Sequence, residues 1–329
     1  MRIGIIGAGA LGSTFAALLA AAGHDVEIAA RGATLAAIRE HGIRLSGGYG
    51  DVIARVDCAE RLTRRPDLAL VCTKAQDGAA AIEANGAHLD GTVVVVVQNG
   101  LDGVDIAANL LPDATSLGLL SMIAANHSEP GIVRVTATAE SYLGRGDGPP
   151  EPVAVDTAAV LSAAVPVVAI EDFRGSQWTK LVVNMLNSIT AIVGVPLGAV
   201  IADDGLLRVL TASMLECVRT GLARRVRFGS MNGLDDTLLR RFASAQLDEA
   251  TAVPAGLVRR MSWEDNRGST QQSILRGQPT EIDFLNGAVV REAVAVGLDA
   301  PVNRALVGLV HEVERGGFLP AERVRAILD

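Results

Sequence analysis

Aromatic side chains are scarce in this chain of 329 residues, at only 3%. Its arginine pairs therefore lack the interleaved aromatics of a nucleic-acid surface. Arg224-Arg225, Arg240-Arg241 and Arg259-Arg260 read as exposed helix faces on a chain of net charge −8, and no nucleic-acid partner is expected. Cysteine is scarce too. Cys58, Cys72 and Cys217 are far apart and odd in number, which fits a reducing compartment and argues against a disulfide framework and a metal site. The five histidines show no ligand spacing, so no metal is expected. No basic segment precedes an apolar run at the N-terminus, so no secretory leader is expected. The long charge-free stretch 181–202 contains Asn184, Asn187, Ser188, Thr190 and Pro196, and reads as a buried helix rather than a membrane span. A cytoplasmic protein without a membrane partner is expected. Its 49% hydrophobic content, at a mean hydropathy of +0.33, supplies a large core.

Small apolar residues are abundant, and they frame the clearest motif. Ile3-Gly4-Ile5-Ile6 reads as a buried strand leading into Gly7-Ala8-Gly9-Ala10-Leu11-Gly12 and then an Ala/Leu-rich helix. Gly7 permits the tight turn, Gly9 lets a pyrophosphate approach the backbone, and Gly12 lets the helix pack on the strand. The helix N-terminus, with its free N–H groups and positive dipole end, then faces a diphosphate. Gly7, Gly9, Ala10, Leu11 and Gly12 are thus assigned to a dinucleotide cofactor. Residues 25–30 read as the second strand. An NAD site would place an acid at its end, whereas this chain places Arg31 there. A guanidinium suits a 2′-phosphate, so NADP(H) is expected over NAD(H). Glu27 lies too early for the ribose and reads as a strand-edge residue.

Residues 1–172 alternate strands and helices, and predict an α/β, Rossmann-type doubly wound parallel sheet that binds NADP(H). Residues 67–73 and 92–98 are near-continuous apolar runs, as expected of parallel strands covered on both faces. Helices are expected near 76–89, 102–111 and 154–164, with strands near 116–122, 131–136, 139–143 and 165–170. Residues 43–45 and 52–56 suggest an inserted hairpin. Residues 173–329 predict an all-helical substrate domain, with helices at 175–195, 204–227, 235–249, 254–276, 281–296 and 302–314. Ligand is expected at the carboxyl ends of the strands.

Lys74 and Asn99 each follow a predicted central strand, where either a ligand contact or a plain strand-end turn would suit them. On the first helix of the second half, Lys180, Asn184 and Asn187 project from one stripe of an otherwise apolar surface, which suggests a lined cavity. Ser269 belongs to a second polar group, in the run Ser269-Thr270-Gln271-Gln272-Ser273. Thr280 and Asp283 form a capping-box pattern, and Glu281 between them suits a helix first turn with no further role.

Together these residues resemble the ketopantoate reductase (2-dehydropantoate 2-reductase) family. The likeness rests on Gly-Ala-Gly-Ala-Leu-Gly at 7–12, Ala-Arg-Gly at 30–32, Thr-Lys-Ala at 73–75 and Gln-Asn-Gly at 98–100. Trp-Thr-Lys-Leu-Val-Val-Asn at 178–184 and Pro-Thr-Glu-Ile-Asp-Phe-Leu-Asn-Gly at 279–287 are its more specific parts. The resemblance implies NADPH-dependent reduction of a small 2-oxo acid to a 2-hydroxy acid, ketopantoate to pantoate on the route to pantothenate and coenzyme A. It implies a catalytic pair, Lys180 and Glu281, with the lysine as proton donor. It gives Asn99, Asn184 and Ser269 to the substrate or to ordering the lysine, and Lys74, Arg31 and again Asn99 to the cofactor. Many relatives carry the second helix asparagine eight residues after the lysine. This chain has Ser188 there and Asn187 one place earlier, and Asn187 is assigned to substrate binding. Its 180–269 segment is also longer than in compact relatives. A paralogue acting on another 2-oxo acid or an imine, and a non-catalytic NADPH sensor, are the alternatives. A homodimer is compatible with either.

Overall fold

The computed structural model describes every residue from Met1 to Asp329 except Ser262 and Asn266. The chain divides into two compact units, Met1–Phe173 and Arg174–Asp329.

In the first unit the apolar runs become strands because burial on both faces tolerates no polar alternation. The strands are β1 (Arg2–Ile6), β2 (Asp25–Ala29), β3 (Ile43–Gly47), β4 (Val52–Ala54), β5 (Asp57–Ala59), β6 (Leu68–Val71), β7 (Val93–Val96), β8 (Thr115–Leu120), β9 (Ala124–Glu129), β10 (Ile132–Ala137), β11 (Ser141–Gly144) and β12 (Val167–Ala169). Eight form one sheet in the order β12-β11-β8-β7-β6-β1-β2-β5. From β8 to β5 every pairing is parallel, and β11 runs antiparallel to β8. The order reverses around β1, which places a topological switch point at the end of that strand. The connecting helices are α1 (Ala10–Ala21), α2 (Gly32–His41), α3 (Ala75–Leu89), α4 (Gly103–Leu110) and α5 (Pro152–Leu161).

A second sheet, β4-β3-β10-β9, packs on α1, which also contacts β1 and β2 of the large sheet. Helix α1 thus lies between two sheets. Every residue from Gly12 to Leu19 is buried, which explains why none is charged, and the Ser13 and Thr14 hydroxyls are spent on the Ala8 and Ala10 carbonyls. The expected hairpin at 43–45 and 52–56 is present as β3 and β4, but it is half of a larger layer. Strand β9 was not expected, since Ala-Ala-Asn-His-Ser-Glu is polar and largely unburied.

The second unit is helical, and most of its expected helices are subdivided. The helix expected over 175–195 is α6 (Phe173–Asn184) followed by α7 (Leu186–Val193). They part at Met185, whose N–H is shared between the Leu181 and Val182 carbonyls at 3.2 and 3.3 Å. After them come α8 (Leu197–Ala202), α9 (Asp204–Ala223), α10 (Asp236–Ser244), α11 (Leu247–Ala250), α12 (Ala252–Arg260) and α13 (Gly268–Leu275). The last are α14 (Asn286–Ala295), α15 (Pro301–Gly316) and α16 (Ala321–Arg325). The charge-free stretch 181–202 is spread over three short helices. Among the described residues no helix is long and apolar enough to cross a membrane.

The helix expected at 281–296 is corrected at its start. Ile282–Phe284 is a single 3₁₀ turn, and α14 begins only at Asn286. Asp283 forms no capping box, because its carboxylate bonds to His311 on α15 instead.

Between α9, α14 and α15 lies a buried polar cluster. Asn303 Nδ2 donates to Glu216 Oε2 at 2.7 Å, while its Oδ1 accepts from Ser213 Oγ at 2.9 Å and Asn286 Nδ2 at 2.8 Å. Glu216 also accepts the N–H groups of Val302 and Asn303 at the start of α15. Stranding a buried polar group costs about 1–3 kcal/mol, more where it is charged. Asn303→Leu is therefore expected to lower unfolding free energy by about 3 kcal/mol, as measured by urea denaturation.

Candidate active site

In the first unit, β1 ends at Gly7, whose φ of +103° demands glycine. A Cβ at Gly12 would collide with the Gly7 carbonyl oxygen, so only glycine lets α1 start this close to the strand. A Cβ at Gly9 would meet nothing within 4 Å, so the backbone there borders open space. The first i→i−4 bond of α1 runs from Ser13 N–H to Gly9 carbonyl at 2.9 Å. The N–H groups of Ala10, Leu11 and Gly12 precede it, and helix geometry gives them no acceptor within the helix. No acidic residue occupies the first turn. Open backbone, unspent donors and an absence of negative charge fit a dinucleotide diphosphate.

Glu27 and Arg31 fall into different roles. Glu27 is only 3% exposed, and its carboxylate accepts the Thr63 N–H at 2.8 Å, the Thr63 hydroxyl at 2.6 Å and the Arg64 N–H at 3.3 Å. It is a buried loop clamp rather than an exposed strand edge. Arg31 is exposed at the N-cap of α2, and no described residue engages its guanidinium.

Lys74 is the extended, half-buried residue that opens α3, and Asn99 is half-buried just beyond β7. Gln98, which the sequence reading did not single out, ties the two turns together. Its Nε2 donates to the Thr73 carbonyl, the Thr73 hydroxyl and the Lys74 carbonyl at 3.1, 3.2 and 3.3 Å. The available signal was an amide closing a strand made otherwise of valine.

In the second unit, Lys180 and Asn184 lie one turn apart on α6, both half-buried. Asn184 Nδ2 is buried and has no acceptor among the described residues. Asn187 lies beyond the break at Met185 and is half-buried, whereas Ser188 is buried and its hydroxyl donates back to the Met185 carbonyl at 3.3 Å. A Cβ at Gly268 would collide with Asn187 Oδ1, and Gly268 has φ of +69°. Glycine there brings α13, and with it the exposed Ser269, up to Asn187. Thr190 fastens the contact by donating to the Arg267 carbonyl at 3.0 Å.

Part of the Lys180 surface is open, yet the protein packed around its amine dominates the electrostatics. Desolvation pushes its pKa down to about 8, and the Glu281 carboxylate opposes the shift by favouring the cation. Of the 29 lysines and arginines, only Lys74 and Lys180 are lysines. Arginine supplies the others, and a guanidinium, unlike an ammonium, keeps its proton throughout the accessible pH range.

Comparison with known proteins decides the family. The pattern described as ketopantoate reductase PanE/ApbA matches residues 3–148, and that of the family's C-terminal part matches residues 172–314. The chain belongs to the ketopantoate reductase family. The 2-dehydropantoate 2-reductase of Archaeoglobus fulgidus is 34% identical over 317 residues, 96% of this chain and 98% of that protein. A solved PanE/ApbA family ketopantoate reductase from Ralstonia eutropha JMP134 superposes with a TM-score of 0.82 at 29% identity, covering 95% of this chain and 98% of that one. D-mandelate dehydrogenase, solved with NADH and anilino(oxo)acetate, shares the fold at a TM-score of 0.80 and 22% identity, covering 95% of this chain and 98% of its own. As a ketopantoate reductase family member, the protein is an oxidoreductase that uses a nicotinamide dinucleotide.

The two-lysine composition makes the lowered pKa directly measurable. After reductive ¹³C-methylation, the Lys180 signal is expected to titrate at about 8 and to move lower still in Glu281→Gln. An unfolded lysine titrates near ~10.4, so between the two values the unfolded chain binds more protons. The penalty for burying this amine is present below about 8 and relieved as pH rises through that window.

Proposed function

We propose that the protein reduces a 2-oxo acid to the corresponding 2-hydroxy acid with NADPH, ketopantoate being the substrate and pantoate the product. The observation that carries this reading is Lys180, an amine whose pKa lies at about 8. At pH 7 such an amine is still mostly protonated, and it yields a proton more readily than an ordinary lysine. When bound, the reduced nicotinamide supplies the hydride that goes to the carbonyl carbon. Lys180 hydrogen-bonds the keto oxygen and donates the proton that completes the hydroxyl, then recovers a proton from solvent. Glu281 keeps the amine cationic in surroundings that would otherwise neutralise it.

Asn184 has a buried N–H₂ with no acceptor among the described residues, which suits an oxygen of the substrate. Asn187, Ser269 and Asn99 complete substrate recognition, and Lys74 contacts the cofactor. Gly7, Gly9, Ala10, Leu11 and Gly12 hold the diphosphate, and Arg31 pairs with the 2′-phosphate. The setting is cytoplasmic, with a small molecule as partner.

A substrate panel tests the assignment. NADPH oxidation is expected to be fastest with ketopantoate, and rates no better than with pyruvate or 2-oxoisovalerate would remove it in favour of another 2-oxo acid or an imine. Lys180→Ala is expected to lower kcat by about 10²–10⁴-fold, the usual span for a lost general acid. Arg31→Ala is expected to weaken NADPH binding while leaving NADH binding unchanged, as read by fluorescence titration.

A further inference from the structure

Glu281 belongs to neither flanking helix, so something must hold it in place. It lies on the short connection between Pro279 and Asn286, followed by the 3₁₀ turn Ile282–Phe284. Helix α15 reaches this connection on both sides of Glu281. His311 Nε2 lies 3.1 Å from Asp283 Oδ1, and its Nδ1 lies 2.8 Å from Glu314 Oε2. The other oxygen of Glu314 accepts the N–H of Thr280 at 2.8 Å. Asp283, His311, Glu314 and Thr280 thus make one continuous chain of hydrogen bonds that brackets Glu281.

We propose that His311 is a positioning residue that, with Glu314 and Asp283, clasps the Glu281 turn and keeps its carboxylate acting on the Lys180 amine. The proposal rests on the reading of Lys180 and Glu281 as the catalytic pair.

The chemistry of the clasp fixes its charge state. Ionised carboxylates only accept hydrogen bonds, so an imidazole bonded to two of them must donate from both ring nitrogens. That requires the imidazolium. A neutral ring would present one lone pair to a carboxylate, and one arm would open. The charged groups acting on the ring are Glu314 from its own helix and Asp283 from the turn, and both hold the His311 pKa above its ordinary value. From α14, Arg291 Nη1 donates to the Asp283 carbonyl at 2.6 Å, and its guanidinium lies 5.9 Å from the Phe284 ring centroid. Arg291 thus pins the turn from α14. All three side chains are partly exposed, so the clasp contributes geometry more than stability. The pH sense follows: the clasp is whole while His311 is protonated, and it opens as pH rises through the raised pKa.

The test uses the full-length enzyme and two readouts. Long-range ¹H–¹⁵N NMR of His311 should show both ring nitrogens protonated at neutral pH, with the titration moved lower in Asp283→Asn. In His311→Ala and in Asp283→Asn, the ¹³C-methylated Lys180 signal should titrate below its wild-type value, because Glu281 is released. Reductase kcat should fall about 10-fold, inside the ~10²-fold that a 1 Å misplacement can produce, with the KM for NADPH unchanged. A lowered melting temperature with Lys180 titration and kcat both unmoved would mean a structural role only, and would overturn the proposal. The Lys180 titration needs no turnover, so it reports on the clasp even if the protein reduces no 2-oxo acid.

Discussion

The second unit sets desolvation against a neighbouring carboxylate at one amine, that of Lys180. Desolvation disfavours the charged form of that amine, whereas a carboxylate beside it favours that form. The structure balances the two. Packing pulls the pKa down to about 8, and the Glu281 carboxylate resists further loss. An arginine at this position would not titrate in the accessible pH range. The balance depends on where Glu281 is held, because Coulomb energy varies inversely with separation and with local dielectric. That makes a turn fixed from α14 and α15 more useful than the first turn of a helix, whose end can fray.

The first unit solves its problem with backbone rather than side chains. Gly7 is required by its positive φ and Gly12 by the Gly7 carbonyl against it, while Gly9 leaves open backbone, and none carries charge. What keeps the cradle in place is the burial of α1 between two sheets, from Gly12 to Leu19. By covering the far side of α1, the second sheet fixes the direction in which the helix N-terminus points. Gln98 plays a comparable part at the strand ends, spanning from β7 to the Thr73–Lys74 turn.

The large sheet was legible because its signal is one-dimensional. A strand covered on both faces must be apolar throughout, and Leu68–Val71 and Val93–Val96 could be little else. The glycine turn was legible for a similar reason, since all its steric demands fall within six residues. The helical unit was legible in outline only. Sequence periodicity does not show the break at Met185, which arises from one shared N–H, nor the delay of α14 to Asn286. Thr280 and Asp283 have the spacing of a capping box, but His311 lies 28 residues beyond Asp283 and outcompetes the local backbone for its carboxylate. Glu281 therefore looked like a helix-dipole residue on local grounds, and only the family resemblance pointed to a further role. Gln98 and His311 act entirely through tertiary contacts, so no local pattern marks them. The restriction of lysine to positions 74 and 180 was open to a simple count.

The proposed preference for NADPH rests on placement more than on composition. Strand β2 carries an acid, Glu27, of the type that binds a ribose hydroxyl in NAD-preferring sites. It lies two positions before the strand's end at Ala29. The carboxylate turns to the Thr63–Arg64 loop, accepts three hydrogen bonds there and is buried by them. Arg64, the nearest competing base in that loop, is itself paired with Asp25 and Asp57 at 3.1 and 2.8 Å. The acid that would repel a 2′-phosphate is thereby withdrawn, while Arg31 remains exposed and uncommitted at the start of α2. A preference for NADPH needs both conditions. An arginine beside a free carboxylate would be partly neutralised, and a withdrawn carboxylate without the arginine would leave the phosphate with no counter-charge.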